Sequence, residues 1–327
     1  MPIDFTLSPV PRSDRGDASL SSLFFNPDTA RSLLVAAEDA GFGGVIIDDP
    51  IGLLGNLDLS SYAASKTEAL GVIVTHWAGV MSPEVAARQI ASINNLANGR
   101  LGVRFPVEEA VRGRSTATPD HSARQQRTDE YVMLLKRLWS SRQPFDFEGP
   151  FHSVRGGFVA EKNAFGPEIP IRMSGRSGAA LSMAGRHADL FELEAGSLFD
   201  VRTTMRRVAA AAAPFGRGGA ISFALPITVI GEDTAPARVE HPACTIRLGD
   251  PSRAVLTLLP FIEAGIAEFV ISGVLDPAAI RRFGQQVIPL VRNSVLHRRA
   301  ADGVATLPQP HVQFQTATLR WRSGQAG

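Results

Sequence analysis

The feature that most constrains the fold is an alternation of short apolar segments with longer segments of helical character, repeated eight times along the chain. The apolar segments, such as 70–77, do not alternate in polarity, which is typical of parallel strands buried on both faces. The longer segments carry helix signals. One of them begins with the N-cap Ser82 and Pro83 and stops at Gly99.

This alternation predicts strands at 3–8, 44–48, 70–77, 100–105, 169–174, 188–193, 220–230 and 267–273. Helices are predicted at 26–41, 58–69, 82–99, 123–140, 177–185, 198–214, 250–264 and 276–292. Eight βα units in one chain predict an α/β fold of the (β/α)8 TIM barrel type, and an open doubly wound sheet is the alternative. Pro226 fits poorly inside a central strand, because proline cannot donate to the sheet ladder.

Two stretches lie outside this rhythm. Residues 141–168 are rich in Gly, Pro and Phe and predict an ordered excursion with a small hairpin. Residues 298–327 follow the last unit and form either a strand-like arm or a frayed tail. We therefore expect one barrel domain over 1–297 and a separate C-terminal tail or arm.

Composition excludes several classes of protein. With 327 residues, 44% of them hydrophobic, the chain can bury a large core. The formal charge of +1 provides no overall field that would attract nucleic acid or a membrane. The lone Cys244 excludes an intramolecular disulfide and fits a reducing compartment, and the histidines lack the spacing of metal ligands. No signal peptide or membrane-spanning run is evident, so we expect a cytoplasmic protein without a metal.

The turn between the fifth strand and its helix is a candidate anion site. The sequence "PIRMSGRSGAALSMAG" passes from an apolar strand through small residues into an Ala-rich helix. Backbone N–H groups at a helix N-terminus favour an anion, and Ser174, Ser177 and Arg176 add two hydroxyls and a charge. In the alternative interpretation the serine is only an N-cap and Gly175 only a turn residue. The residues alone leave both open.

Five stretches, spread in order along most of the chain, together resemble the bacterial luciferase-like family of flavin-dependent monooxygenases, especially its alkanesulfonate monooxygenase branch. They are "AAEDAGFGGVIIDD", "VMSPEVAARQIASINNLANGRLGV", "RTDEYVMLLKRLWSSRQPFDFEGPFHSV", "PIRMSGRSGAALSMAGRHADLF" and "GDPSRAVLTLLPFIEAGIAEFVISG". The resemblance implies a (β/α)8 barrel, usually dimeric or tetrameric. It also implies reduced FMN supplied by a separate reductase, or in some branches a deazaflavin, and oxidation of a small organic substrate with O2.

The resemblance also assigns cofactor-binding residues. In the family the turn after strand five helps to hold the FMN phosphate, which points to the turn from Ser174 to Ser177. A His-x-x-x-Tyr pair reaches the same phosphate. Here His121 matches the histidine, and Gln125 stands in place of the tyrosine. A solvent-exposed loop histidine is the alternative for His121.

Other positions depart from the sulfonate branch. The branch carries Arg-x-His on strand seven, where this chain has Pro226 and Thr228, and neither can exchange a proton near neutral pH. Val274 stands where the branch has a tyrosine after strand eight, and Asn56 is the nearest match to the branch's cysteine near the end of strand two. Residues 104–107 read "RFPV" where the branch has "NVVT". The branch's long helical insertion after strand seven, with its mobile loop, is shortened here to a few residues. We therefore do not expect sulfonate oxygenation by the family's own residues.

The strand ends offer other candidates. His76 can act as a tentative catalytic acid or base, and Trp77 beside it can stack on a flavin ring; an ordinary packed His–Trp pair is the alternative. At least one of Glu192 and Glu194 is expected to face the barrel mouth, although a structural ion pair with Arg104 remains open.

The adjacent carboxylates Asp48 and Asp49 raise a similar choice, since they could bind a metal or act as a base, or merely cap the following loop. Two functions follow from the whole sequence. The first is a flavin-dependent monooxygenase-type oxidoreductase that forms a homodimer or homotetramer and works with a flavin reductase. The alternative is a non-catalytic or weakly catalytic flavin-binding paralogue or partner subunit.

Overall fold

A computed structural model gives the architecture of the protein. It describes residues 3–9, 27–48, 55–107, 121–160, 168–231, 241–273 and 276–302, and every structural statement below concerns these ranges.

The strands are β1 Asp4–Leu7, β2 Gly44–Ile47, β3 Gly71–Thr75, β4 Leu101–Pro106, β5 Phe145–Glu148, β6 Ser153–Gly157, β7 Ile171–Ser174, β8 Leu190–Glu192, β9 Ser222–Ile230, β10 Thr245–Arg247 and β11 Glu268–Ser272. The α-helices are α1 Pro27–Asp39, α2 Gly55–Lys66, α3 Pro83–Leu96, α4 His121–Ser140, α5 Gly178–His187, α6 Leu198–Ala212, α7 Pro251–Glu263, α8 Pro277–Gln286 and α9 Ile288–Asp302. None of these helices has both the length and the apolar composition needed to span a bilayer.

Eight parallel strands form a closed barrel. Their order is β1, β2, β3, β4, β7, β8, β9 and β11, and β11 pairs again with β1. The predicted (β/α)8 barrel is therefore confirmed, and the open sheet is wrong. The predicted hairpin is also present, because β5 and β6 pair antiparallel outside the barrel.

Alternation along each strand separates an outer layer from the bore. Val72 and Val74 on β3 belong to the large cluster that packs between the strands and the helices. Ile73 between them belongs to a small cluster inside the bore, together with Ile46, Leu190, Ala224 and Val270. Successive side chains on a strand point to opposite faces. Thr75, two residues beyond Ile73, therefore faces the bore at the carboxyl end of the barrel, which we call the mouth.

The seventh barrel strand accommodates Pro226 through a gap in its pairing. The carbonyl of Ala224 accepts a hydrogen bond from Leu193 on the β8 side, so Pro226, two residues further, turns its nitrogen to that side. Pairing with β8 ends at Ala224, and pairing with β10 begins at Thr228. The proline lies between the two, where its missing N–H breaks no ladder bond.

The structure differs from the predicted elements in three respects. The short strand β10, which was not predicted, adds to the upper part of β9. The last predicted helix is split at Val287 into α8 and α9, because the ring and the missing N–H of Pro289 prevent a continuous helix. Helix α9 continues past the expected tail boundary to Asp302, and 303–327 lie outside the described residues. The single domain over 1–297 stays a prediction.

Candidate functional site

The turn from Ser174 to Ser177 joins β7 to helix α5. Ser177 is the N-cap of α5, and its Oγ accepts a hydrogen bond from the N–H of Ala180 at 3.1 Å. The N–H groups of the first helical turn have no acceptor within the helix, so the turn presents donors to an anion at its open end. Gly175 has a φ of 146°, which side chains disfavour. The backbone path of this turn therefore depends on glycine.

Gln125 completes this turn from helix α4. Its Nε2 donates a hydrogen bond of 2.9 Å to Ser177 Oγ, and its side chain is buried. A serine oxygen has two lone pairs, and both are occupied here by the amides of Ala180 and Gln125. Any further partner of this hydroxyl must therefore accept a hydrogen bond, as a phosphate oxygen does. Gln125 therefore contacts the turn directly, which the sequence alone did not reveal.

Arg176 and His121 are also predicted to belong to this site, and the structure describes the side chain of Arg176 only. Arg176 forms an ion pair of 3.1 Å with Glu194, and both side chains are largely exposed, at 76% and 61%. An exposed pair of this kind contributes little stability, so the guanidinium can exchange it for a phosphate at small cost. His121 is the first residue of α4, close in sequence to Gln125, but its side chain lies outside the described residues.

His76 lies behind strand β3, against helix α4. A hydrogen bond of 2.8 Å joins its Nε2 to the hydroxyl of Tyr131, and the two rings stack with centroids 5.7 Å apart. Burial lowers the pKa of His76 from 6.5 to about 4, so the ring is neutral near pH 7. This position disfavours the acid or base role at the mouth, which stays a prediction. It favours a packed histidine, with Tyr131 as its partner in place of Trp77.

Two polar atoms at the end of β3 are buried and have no hydrogen-bond partner among the residues that the structure describes. They are Thr75 Oγ1 and Trp77 Nε1, both almost completely buried. Thr75 faces the bore and is in register with Arg104 on β4. Trp77 follows His76, whose ring points outward, and it belongs to neither the outer core nor the apolar cluster of the bore. An unpaired buried donor costs free energy, so such atoms mark a position that a ligand can complete.

Five charged side chains form a chain of ion pairs through the bore, which we call the ion ladder. In order from the amino end of the barrel they are Glu268, Arg172, Glu192, Arg104 and Asp48. The successive N···O distances are 2.7, 3.2, 2.7 and 3.1 Å. Each side chain comes from a different element, because each lies on or directly after a separate barrel strand.

The ion ladder shows which carboxylates pair with Arg104 and which of the two predicted glutamates lies in the bore. Arg104 contacts both Glu192 and Asp48, so the structural ion pair that the sequence left open is present. Glu192 is buried within the ladder, whereas Glu194 lies outside it with Arg176. Burial opposes the charge of Arg172, but Glu268 and Glu192 outweigh it and raise the arginine's pKa. Sequence could have indicated these pairs, because a charge inside a buried strand requires a partner.

The remaining predicted positions divide into three groups. Pro226 and Thr228 lie on β9, with Thr228 in register with Thr245 of β10. Asn56 is buried on α2 and donates from Nδ2 to the Thr75 carbonyl at 3.0 Å, so it anchors the end of β3. Asp49 and Val274 lie outside the described residues. Among the described residues, no group of three or more His, Cys, Asp or Glu side chains is placed to hold a metal ion.

Solved structures of other proteins share this fold. The fold is that of a (β/α)8 barrel, and an EDTA monooxygenase from Chelativorans sp. BNC1 superposes with a TM-score of 0.75 at 16% identity, over 90% of this chain and 95% of that one. A coenzyme F420-dependent tetrahydromethanopterin reductase from Methanopyrus kandleri superposes with a TM-score of 0.72 at 15% identity, over 89% of this chain and 100% of that one. The sequence profile of the luciferase-like monooxygenases matches residues 1–268, and the chain belongs to that family.

One curated relative is closer in sequence. An FMNH2-dependent dimethylsulfone monooxygenase from Pseudomonas putida is 28% identical over 236 residues, which is 71% of this chain. The match spans 57% of that relative's length. The family predicted from the sequence is therefore confirmed. The particular similarity to the alkanesulfonate branch stays a prediction.

Proposed function

We propose that this chain is an FMN-dependent oxidoreductase that oxidises a small organic molecule with O2. The observation that carries the proposal is the turn from Ser174 to Ser177, where two serines and an arginine lie at the N-terminus of helix α5. These groups fit a phosphate dianion, because each one donates a hydrogen bond.

Reduced flavin supplies the reactive chemistry with O2, and the protein supplies binding, orientation and exclusion of water. In this scheme the Ser177 turn anchors the phosphate and Gln125 orients the serine hydroxyl. Trp77 and His121 remain further predicted flavin contacts. We expect a separate reductase to deliver reduced FMN and the chain to act as a homodimer or homotetramer. FMN is favoured over a deazaflavin by the FMNH2-dependent relative, although an F420-dependent protein shares the fold.

A flavin-binding paralogue with little or no turnover is the second candidate. It is favoured by Pro226 and Thr228, which occupy positions where the resemblance implies proton-exchanging side chains. The two candidates differ in one measurement, the fate of reduced FMN mixed with the protein and O2. An oxidoreductase changes the rate or the products of its reoxidation, whereas an inactive paralogue binds FMN and leaves both unchanged.

The phosphate site is tested by comparing FMN with riboflavin, which lacks the phosphate. We expect the wild type to bind FMN more tightly, as followed by flavin absorbance and fluorescence. Ser177→Ala should weaken FMN binding by about 1–3 kcal/mol through the lost hydroxyl contact. Ser177→Asp retains an N-cap but places a negative charge beside the phosphate, so it should weaken FMN binding without weakening riboflavin binding.

The loss of the N-cap must be separated from the loss of the phosphate contact. Ser82 caps helix α3 through Val85 in the way that Ser177 caps α5. Ser82→Ala should therefore lower stability by about 1 kcal/mol and leave FMN affinity unchanged. Equal affinity of the wild type for FMN and riboflavin would contradict a phosphate site at this turn.

A further inference from the structure

We propose that the barrel mouth selects a small neutral molecule with a hydrogen-bond-accepting oxygen and discriminates against anions such as sulfonates. The proposal rests on the flavin-dependent function above and names the substrate class of the same mouth. It depends on two independent features, the engagement of Arg104 and the unpaired donors at the end of β3.

The first feature is that the guanidinium in the mouth is already neutralised. Arg104 binds Glu192 through Nε at 2.7 Å and Asp48 through Nη1 at 3.1 Å. An anionic substrate that approached Arg104 would have to displace a carboxylate or lie beside one. Asp48 is the outermost member of the ladder, so its carboxylate places negative charge at the end of the bore nearest the mouth.

The size of this discrimination follows from Coulomb's law. At an effective dielectric constant of about 20, a carboxylate about 6 Å from an anion disfavours its binding roughly a hundredfold. The nearby Arg104 offsets part of this effect, since it attracts the same anion. We therefore expect a preference of about tenfold or more for a neutral molecule of equal size and shape.

The second feature identifies what the neutral molecule must carry. Thr75 Oγ1 and Trp77 Nε1 are both buried, and neither has a hydrogen-bond partner within the described part of the chain. The indole N–H can only donate, so its partner must be an acceptor. A sulfone, carbonyl or amide oxygen provides such an acceptor without a charge.

Dimethyl sulfone and methanesulfonate form a matched pair of probes, because they share size and sulfur–oxygen groups but differ in charge. The protein is labelled with ¹⁵N-tryptophan, and the indole signal of Trp77 is assigned with Trp77→Phe. Each probe is then titrated into the FMN-bound and flavin-free proteins. We expect dimethyl sulfone to shift the Trp77 signal at concentrations at least tenfold lower than methanesulfonate.

Two variants test the cause of the preference. Asp48→Asn removes one negative charge from the mouth and leaves Arg104 paired with Glu192, so the ratio between the probes should narrow severalfold. Glu148→Gln makes a similar change of charge on the exposed hairpin, where Glu148 pairs with Arg155, and should leave the ratio unchanged. The other tryptophan signals report whether each variant is folded.

Several results would overturn the proposal. They are an equal or stronger response to methanesulfonate, an unchanged ratio in Asp48→Asn, no response of Trp77 to dimethyl sulfone, and a Trp77 signal shifted by FMN alone that then ignores both probes. Each can occur while FMN still binds more tightly than riboflavin, which would leave the proposed function intact. Equal binding of FMN and riboflavin, with the probe preference retained, would instead refute only the phosphate site.

Discussion

The ion ladder predicts a large loss of stability when its central cation is removed. Arg172 is completely enclosed in the bore and makes two hydrogen bonds to Glu268, of 2.7 and 3.3 Å, and one to Glu192. The variant Arg172→Met keeps a long side chain of similar reach but no charge. Glu192 retains Arg104, whereas Glu268 loses both of these hydrogen bonds within a buried environment.

The magnitude follows from the cost of an uncompensated buried charge. Removing one partner of a buried pair typically costs about 3–5 kcal/mol. The unfolding entropy of globular proteins is about 2.1 cal/mol/K per residue. For a chain of 327 residues this corresponds to a fall in Tm of about 4–7 °C.

Thermal unfolding followed by circular dichroism, together with urea titration, measures this loss. The matched control is Arg155→Met on the hairpin, where the arginine is 80% exposed and pairs with Glu148 at 3.5 Å. An exposed pair contributes less than about 1 kcal/mol, so this control should lose little stability. If Arg172→Met is no less stable than Arg155→Met, the ladder does not stabilise the barrel in the way we describe.

Two further predictions concern the walls of the barrel. Arg100 donates hydrogen bonds to the carbonyls of Ala64, Thr67 and Leu70 at the end of α2. Arg100→Met should therefore lower the free energy of unfolding, measured with urea, by about 3 kcal/mol. A loss below about 1 kcal/mol would contradict this role. The pKa of His76 is about 4 in the folded protein and 6.5 in the unfolded chain. Its contribution to the free energy of unfolding is therefore complete above pH 6.5 and is lost as the pH falls towards 4. The full difference is roughly 3 kcal/mol. The double variant His76→Leu/Tyr131→Phe should show a correspondingly shallower fall in urea-unfolding free energy over this pH range, and an unchanged slope would refute the assignment.

Periodicity was sufficient to predict the barrel, because the strands and helices that build it carry strong and regular patterns. It failed for β10, because this short strand pairs beside β9 in addition to the eight barrel strands and so lies outside the eightfold alternation. It also failed to stop the last helix at Val287, although Pro289 carried the signal. These are local effects of tertiary pairing and of a single imino acid.

The site was harder to predict, because orientation decides function there. The turn at Ser177 was visible as a strand followed by small residues, but the contact from Gln125 joins residues 52 positions apart. The sequence leaves open whether His76 is an acid or base at the mouth or a packed histidine, and the alternation that turns Thr75 inward turns His76 outward. The charges of Arg104 and Arg172 were visible inside apolar strands, yet their partners depend on how the barrel closes.

The ladder also has a consequence for how the chain is synthesised. Arg172 and Glu192 are made well before Glu268, which lies on the final strand of the ring. Until that strand docks, Arg172 lacks its strongest carboxylate and must keep water around it. Loss of water from the bore is therefore coupled to insertion of the last strand. In a ribosome-bound fragment that ends before residue 268, the bore should stay hydrated and the backbone amides around it should exchange readily with solvent.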